Sequence, residues 1–303
     1  MTTPPALPAS AGPSRLSPAA LGILVMLAAM FLFSLNDAMG KWLVATYTVG
    51  QVLLIRSAAA LVVLAPFLRG APVMRIERPG LQAVRAAFTT AEVFCFYWAV
   101  QFLPLADVMT YWLAAPIYVA AAAPFLLGER VGPLRWTAIA IGFVGVLIAL
   151  EPFGGGSGHL GATVVALIGS GCFAALMLSG RALRGTPDQT LVFWQTMGAL
   201  IAGAVLAPFG WVKPTLLDFG LLALLGIVAM AAHVMVNRAL KLADAAVVAP
   251  FQYTLLLWAV ILGWIFFGDV PRPMMLAGAA VIVAAGLFIF FRERAVARRR
   301  GTR

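Results

Sequence analysis

Three ionisable side chains, Asp37, Arg56 and Glu92, fall inside otherwise apolar stretches. A charge near the centre of a bilayer costs about 3 kcal/mol on insertion scales, so each of these needs a partner, water or a task. Glu92 lies near the middle of its stretch, Arg56 about two turns from the end of its own, and Asp37 about one turn from the end of the first. A carboxylate held there can take up a proton or meet a substrate amine. A guanidinium can pair a substrate carboxylate through its planar fork. Equally, the three could be a buried ion-pair group that fixes helix packing. Thr89 and Phe96 share the helical face of Glu92.

A second set lies later in the chain. His233 and Asn237 are four apart, hence on one helical face, at about the depth of Gln252 and Tyr253. His233 could relay a proton or serve as a structural donor. Tyr97, Trp98, Tyr111 and Trp112 cluster near the ends of two helices, where the aromatic belt of a membrane interface is the preferred reading for Trp98 and Trp112, while Tyr111, one turn before Pro116, could face a cavity. Pro116 and Pro250 each remove a backbone bond, freeing the carbonyls of Trp112 and Ala246, and are read as hinges on opposite sides of a central cavity. The substrate-binding or coupling set is therefore Glu92, Arg56, Asp37, Tyr111, His233, Asn237, Gln252 and Tyr253. No catalytic group, cofactor or metal is expected. The two histidines and two cysteines show no ligand spacing, and no H-E-x-x-H or serine elbow occurs.

Ten apolar helices must position these residues, at about 18–40, 49–68, 81–102, 106–127 and 134–150, then 161–179, 190–210, 216–237, 245–267 and 273–291. The chain divides into a disordered cytoplasmic tail (1–17), a five-helix repeat (18–150), a Gly-rich linker (151–160), a second five-helix repeat (161–291) and a basic cytoplasmic tail (292–303). The repeat is visible in LADVMTYWLAAPIYVAAAAPFLLGE, from Leu105, against LADAAVVAPFQYTLLLWAVILGWIFFGD, from Leu242. Both open on LAD, carry an internal proline and close on Gly-acid. Gly142, Gly145, Gly278 and Gly286 would let the fifth and tenth helices pack closely. Most loop cations, with Arg69, Arg75, Arg78, Arg85, Arg130 and the arginine-rich end among them, fall on one side. Lys41, Lys213 and Arg272 fall on the other. That bias puts both termini in the cytoplasm, and an odd helix count per half makes the halves inverted.

The 63% hydrophobic residues, 11% charged residues and mean hydropathy of +0.99 exceed what a soluble domain can bury, so the solvent is lipid. The formal charge of +10 belongs to loops and tail and gives no reason to expect nucleic acid. Cys95 and Cys172 sit in apolar runs as packing residues.

FSLNDAMGKWL in the first helix, the intramembrane Arg of LLIRS, and the paired LAD…P…LLGER and LAD…APFQYT…FGDVP segments resemble the EamA branch of the drug/metabolite transporters. The resemblance spans residues 18–292. It implies an all-α integral membrane protein of ten helices in two inverted five-helix repeats around a central cavity, with no ATPase domain. Two departures stand out: Asp269 replaces the glutamate found at Glu129, and no proline aligns with Pro116. The expectation is an inner-membrane secondary transporter working by alternating access, a monomer or homodimer in contact with lipid, with protons as one available coupling ion. Export of an amino-acid-derived or other amphiphilic metabolite, metallophore-like compounds included, is the preferred reading. Uptake of a cofactor-type metabolite such as riboflavin or S-adenosylmethionine is the alternative, and a non-transporting membrane subunit a remote one.

Overall fold

The computed structural model describes residues 17–68, 73, 78–126, 132–150, 160–183, 185–243 and 245–301. The expected N-terminal tail and Gly-rich linker, apart from Ser17 and Leu160, lie outside these residues, as do Asp244 and Glu129. The described residues form helices and short connections. These are α1 (Pro18–Val44), α2 (Val49–Leu64), α3 (Pro79–Ala99), α4 (Leu105–Leu113), α5 (Ala115–Leu126), α6 (Pro133–Leu150), α7 (Leu160–Ala182), α8 (Asp188–Leu206), α9 (Leu216–Leu242), the short α10 (Ala245–Val248), α11 (Thr254–Phe267) and α12 (Pro273–Gly301).

Local chemistry sets several boundaries. Ser17, Thr48 and Thr215 cap α1, α2 and α9 by accepting from Ala20, Gln51 and Asp218 amides at 3.2, 3.3 and 3.1 Å. Gly268, at φ 66°, ends α11 in the left-handed region that glycine enters without strain. Helix α12 runs ten residues beyond the expected end at 291, to Gly301. Alanine and arginine favour helix there, and no stop residue intervenes before Gly301.

Among the described residues, eight helical stretches are long and apolar enough to cross a membrane. Helix α3, made less apolar by Arg85 and Glu92, and the shorter α6 bring the described spans to ten. Two spans expected as continuous are broken. The fourth divides at Ala114 into α4 and α5. Pro116 has no amide hydrogen, Ile117 bonds back to Ala114 at 2.9 Å, and the Tyr111 carbonyl accepts from Ser170 Oγ at 2.5 Å. The ninth passes from α10 through a 3₁₀ turn, Ala249–Tyr253, into α11.

Helix pairing carries the twofold repeat. In span order, first packs with eighth (α1, α9), second with seventh (α2, α8), third with sixth (α3, α7), fourth with ninth (α4, α11) and fifth with tenth (α6, α12). Exchanging the two sets of five maps this pattern onto itself, as a two-repeat bundle requires. Glycines admit the closest approaches. A Cβ at Gly278 would meet the Ala149 amide at 2.5 Å, and one at Gly226 would overlap the Arg56 carbonyl. Val62, Phe125, Leu160 and Leu216 are 73%, 79%, 79% and 91% exposed, an outer surface suited to lipid rather than water.

Candidate functional site

Inside this bundle α1 contributes Asn36 and Asp37, α2 Arg56, α3 Glu92 and Tyr97, and α4 Trp112. Asp37, Arg56 and Glu92 are all half-buried among these helices. Arg56 is the electrostatic centre: it interacts with both Asp37 and Glu92, and with His233 of α9. The three residues singled out by their apolar surroundings thus lie within electrostatic reach of one another.

They do not form the direct ion pair that the sequence allowed. Among the described residues, no carboxylate lies within 4.0 Å of the Arg56 guanidinium. Its Nη1 donates to the Tyr97 hydroxyl at 2.7 Å, and its Cζ lies 5.2 Å from the centre of that ring. Tyr97 is 1% exposed and packs where a Cβ on Gly40 would collide with it. Asp37 accepts from Asn36 Nδ2 at 3.3 Å, while the buried Asn36 Oδ1 finds no partner among the described residues. Glu92 accepts from Trp112 Nε1 at 2.7 Å.

Trp112 is therefore a correction. Expected in the interfacial belt, it is buried in the core beside Phe96, its ring seated against Gly169 of α7 and its N–H spent on Glu92. Tyr97, which the sequence assigned to no particular surrounding, is buried and holds Arg56. A tryptophan N–H and a tyrosine hydroxyl need partners when buried, and the sequence held no sign of which helix would supply them. Arg85, within the third expected helix and counted with the cations of one side, lies in α3 and donates to the Leu176 carbonyl at 2.9 Å and Gln195 Oε1 at 3.3 Å.

The other expected residues are distributed elsewhere. Tyr111 is 2% exposed and turned towards Thr163 of α7 rather than open space. Tyr253 packs its phenol on Gly286 of α12, and Gln252 is exposed. His233 directs Nδ1 to the Ala229 carbonyl at 2.7 Å and sets its ring edge-on to Phe33. The side chain of Asn237 lies outside the described residues. Pro116 and Pro250 do stand at the two helix breaks. A groove of about 640 Å³ between α2, α3 and α8 is lined by apolar residues such as Leu53, Ala86, Phe94 and Met197, and none of the central charges borders it.

Sequence reasoning gave no site role to a second charged group, where one end of α1, α4 and α11 meets the start of α12. Lys41 pairs with Asp269 at 2.6 Å and Arg272 with Asp107 at 2.9 Å. The LAD motif and the Gly-acid ending were the available signal, since they supply Asp107 and Asp269.

The profile of the EamA-like transporter family matches residues 20–150 and again 160–291. Over 287 residues, 93% of each chain, this protein is 30% identical to a riboflavin transporter of Rhizobium johnstonii. It is 27% identical to the pseudopaline exporter CntI of Pseudomonas aeruginosa, over 87% of this chain and 94% of that one. An S-adenosylmethionine uptake transporter of Rickettsia bellii is 25% identical over 90% and 94%. A solved crystal structure shares the fold at a TM-score of 0.58 and 18% identity, covering 88% of this chain and 94% of the other.

Proposed function

Since the chain belongs to the EamA-like transporter family, we propose that it is a secondary carrier of small metabolites with its substrate site at Asp37, Arg56 and Glu92. The observation that carries this reading is the meeting of three half-buried charges inside an apolar bundle. Two carboxylates lie within electrostatic reach of one guanidinium, so the group can take a further positive charge, from a substrate amine or a proton. Arg56 has donors beyond the one given to Tyr97, and these suit a substrate carboxylate. An amino-acid-derived metabolite satisfies both demands. His233 is a further titratable group in electrostatic reach of Arg56, and its proton-relay role is a proposal of the same standing.

Alternating access supplies the transport step. The two repeats, 18–150 and 161–291, rock about the site while the breaks at Pro116 and Pro250 bend. We place the protein in the inner membrane with both termini cytoplasmic, on the bias of its loop cations. Export is the preferred direction, in line with the exporter among its relatives. Uptake is the second reading, favoured by the S-adenosylmethionine uptake transporter at comparable identity.

The test is accumulation of a panel of amino-acid derivatives and cofactors by everted and right-side-out vesicles, with and without a pH gradient. Uptake of an amino-acid derivative into everted vesicles above that of vesicles lacking the protein supports export. Accumulation of a cofactor only in right-side-out vesicles favours the second reading. No transport of any panel member in either orientation counts against both.

A further inference from the structure

We propose that Lys41, Asp107, Asp269 and Arg272 form a latch that holds one mouth of the carrier shut, an inference that rests on the alternating-access reading above. The latch joins helix ends that must part if that mouth opens. Lys41, in the last turn of α1, reaches Asp269 Oδ2 at 2.6 Å and the Leu103 carbonyl at 3.3 Å. The same carboxylate oxygen accepts the Leu105 amide at 3.2 Å, capping α4. Asp269 is itself fixed by its amide, which donates to the Gly263 carbonyl at 3.1 Å past the Gly268 turn. Arg272, just before α12, donates to Asp107 in the first turn of α4 at 2.9 Å and to the Ala149 carbonyl at the end of α6 at 3.4 Å.

Four charges thus rivet the ends of α1, α4, α6, α11 and α12. Both broken spans, α4–α5 and α10–α11, are held by them at this end, so the elements that bend are the elements that are tied. The pairs are shielded, with side-chain exposures of 13% and 20% for Lys41 and Asp269, and 26% and 2% for Arg272 and Asp107. Ion pairs suit such a mouth for a physical reason. Closed, their attraction is offset by lost hydration; open, water solvates each charge again, so neither state is strongly favoured. An apolar seal would weigh only towards closure. The positions that the repeat sets opposite, Asp244 and Glu129, lie outside the described residues.

The test reads accessibility instead of transport, so a chain that moves no tested metabolite still answers it. Ala106 is 3% exposed and packs with Met275 and Ala279 close to the pairs. Ala106→Cys, in the reconstituted full chain, is labelled with an impermeant maleimide from the side of this mouth, above the background of Cys95 and Cys172. Labelling should be slow in the parent and stay slow with Lys41→Arg. It should rise roughly fivefold or more in Lys41→Gln, in Arg272→Gln, and in Lys41→Gln with Asp269→Asn, where no unpaired charge remains. Labelling of the double variant at the parental rate and abundance overturns the proposal. So does a double variant that fails to reach the membrane where Lys41→Arg succeeds, since the charges would then be needed for assembly and not for gating.

Discussion

Glu92 accepts a hydrogen bond from a tryptophan that sits two residues before the helix break at Ala114. Trp112→Phe keeps the aromatic ring against Gly169 and Phe96 but removes the N–H that reaches Glu92 at 2.7 Å. A hydrogen bond to a charged group is worth about 1.5–3 kcal/mol. If Trp112 holds the carboxylate for substrate, its loss should slow transport by roughly tenfold or more at unchanged membrane abundance. Transport at the parental rate would reduce the bond to packing. At this scale the sequence exposed the charges and hid their partners. Asp37, Arg56 and Glu92 stood out because charge is costly in an apolar run. Trp112 and Tyr97 did not, because an aromatic near a helix end looks the same whether it faces lipid or a buried acid on another helix.

Among the elements, the two broken spans are where motion is cheapest. Pro250→Ala returns a backbone donor to the turn at Ala249–Tyr253, and Pro116→Ala returns one beside Ala114. Continuous helix there should stiffen the gates, so exchange across reconstituted vesicles should slow more than substrate affinity weakens. Parental exchange rates in both variants would make the breaks static features. The prolines located both breaks, but not their form. A proline alone allows a kink, and neighbouring contacts decide whether the chain divides. Near Pro116 those include Ser170 of α7, which takes up the Tyr111 carbonyl. Helix α12 outruns the apolar stretch because charged residues end a membrane span without ending a helix.

For the whole molecule, the basic bias of the loops predicts orientation. Cysteines introduced at Gly155 and Gly158 should react in intact cells with an impermeant thiol reagent, and one at Gly301 should not. Labelling at position 301 would reverse the assignment. The two-repeat bundle was legible because lipid demands long apolar spans and the LAD segments recur. Which spans touch was not: when nearly every face is apolar, periodicity does not say which side meets protein. The packing of α2 against both α9 and α3 appears only in three dimensions, and it is what brings His233 and Glu92 within electrostatic reach of Arg56. The most direct test of a carrier built on those charges is substrate counterflow in reconstituted vesicles, parent against Glu92→Gln, over a range of pH. The amide keeps the shape and can still accept from Trp112, so the folded chain should persist. Counterflow should fall to the level of empty vesicles at every pH. Parental counterflow across that range would contradict the account, leaving Glu92 as a packing residue.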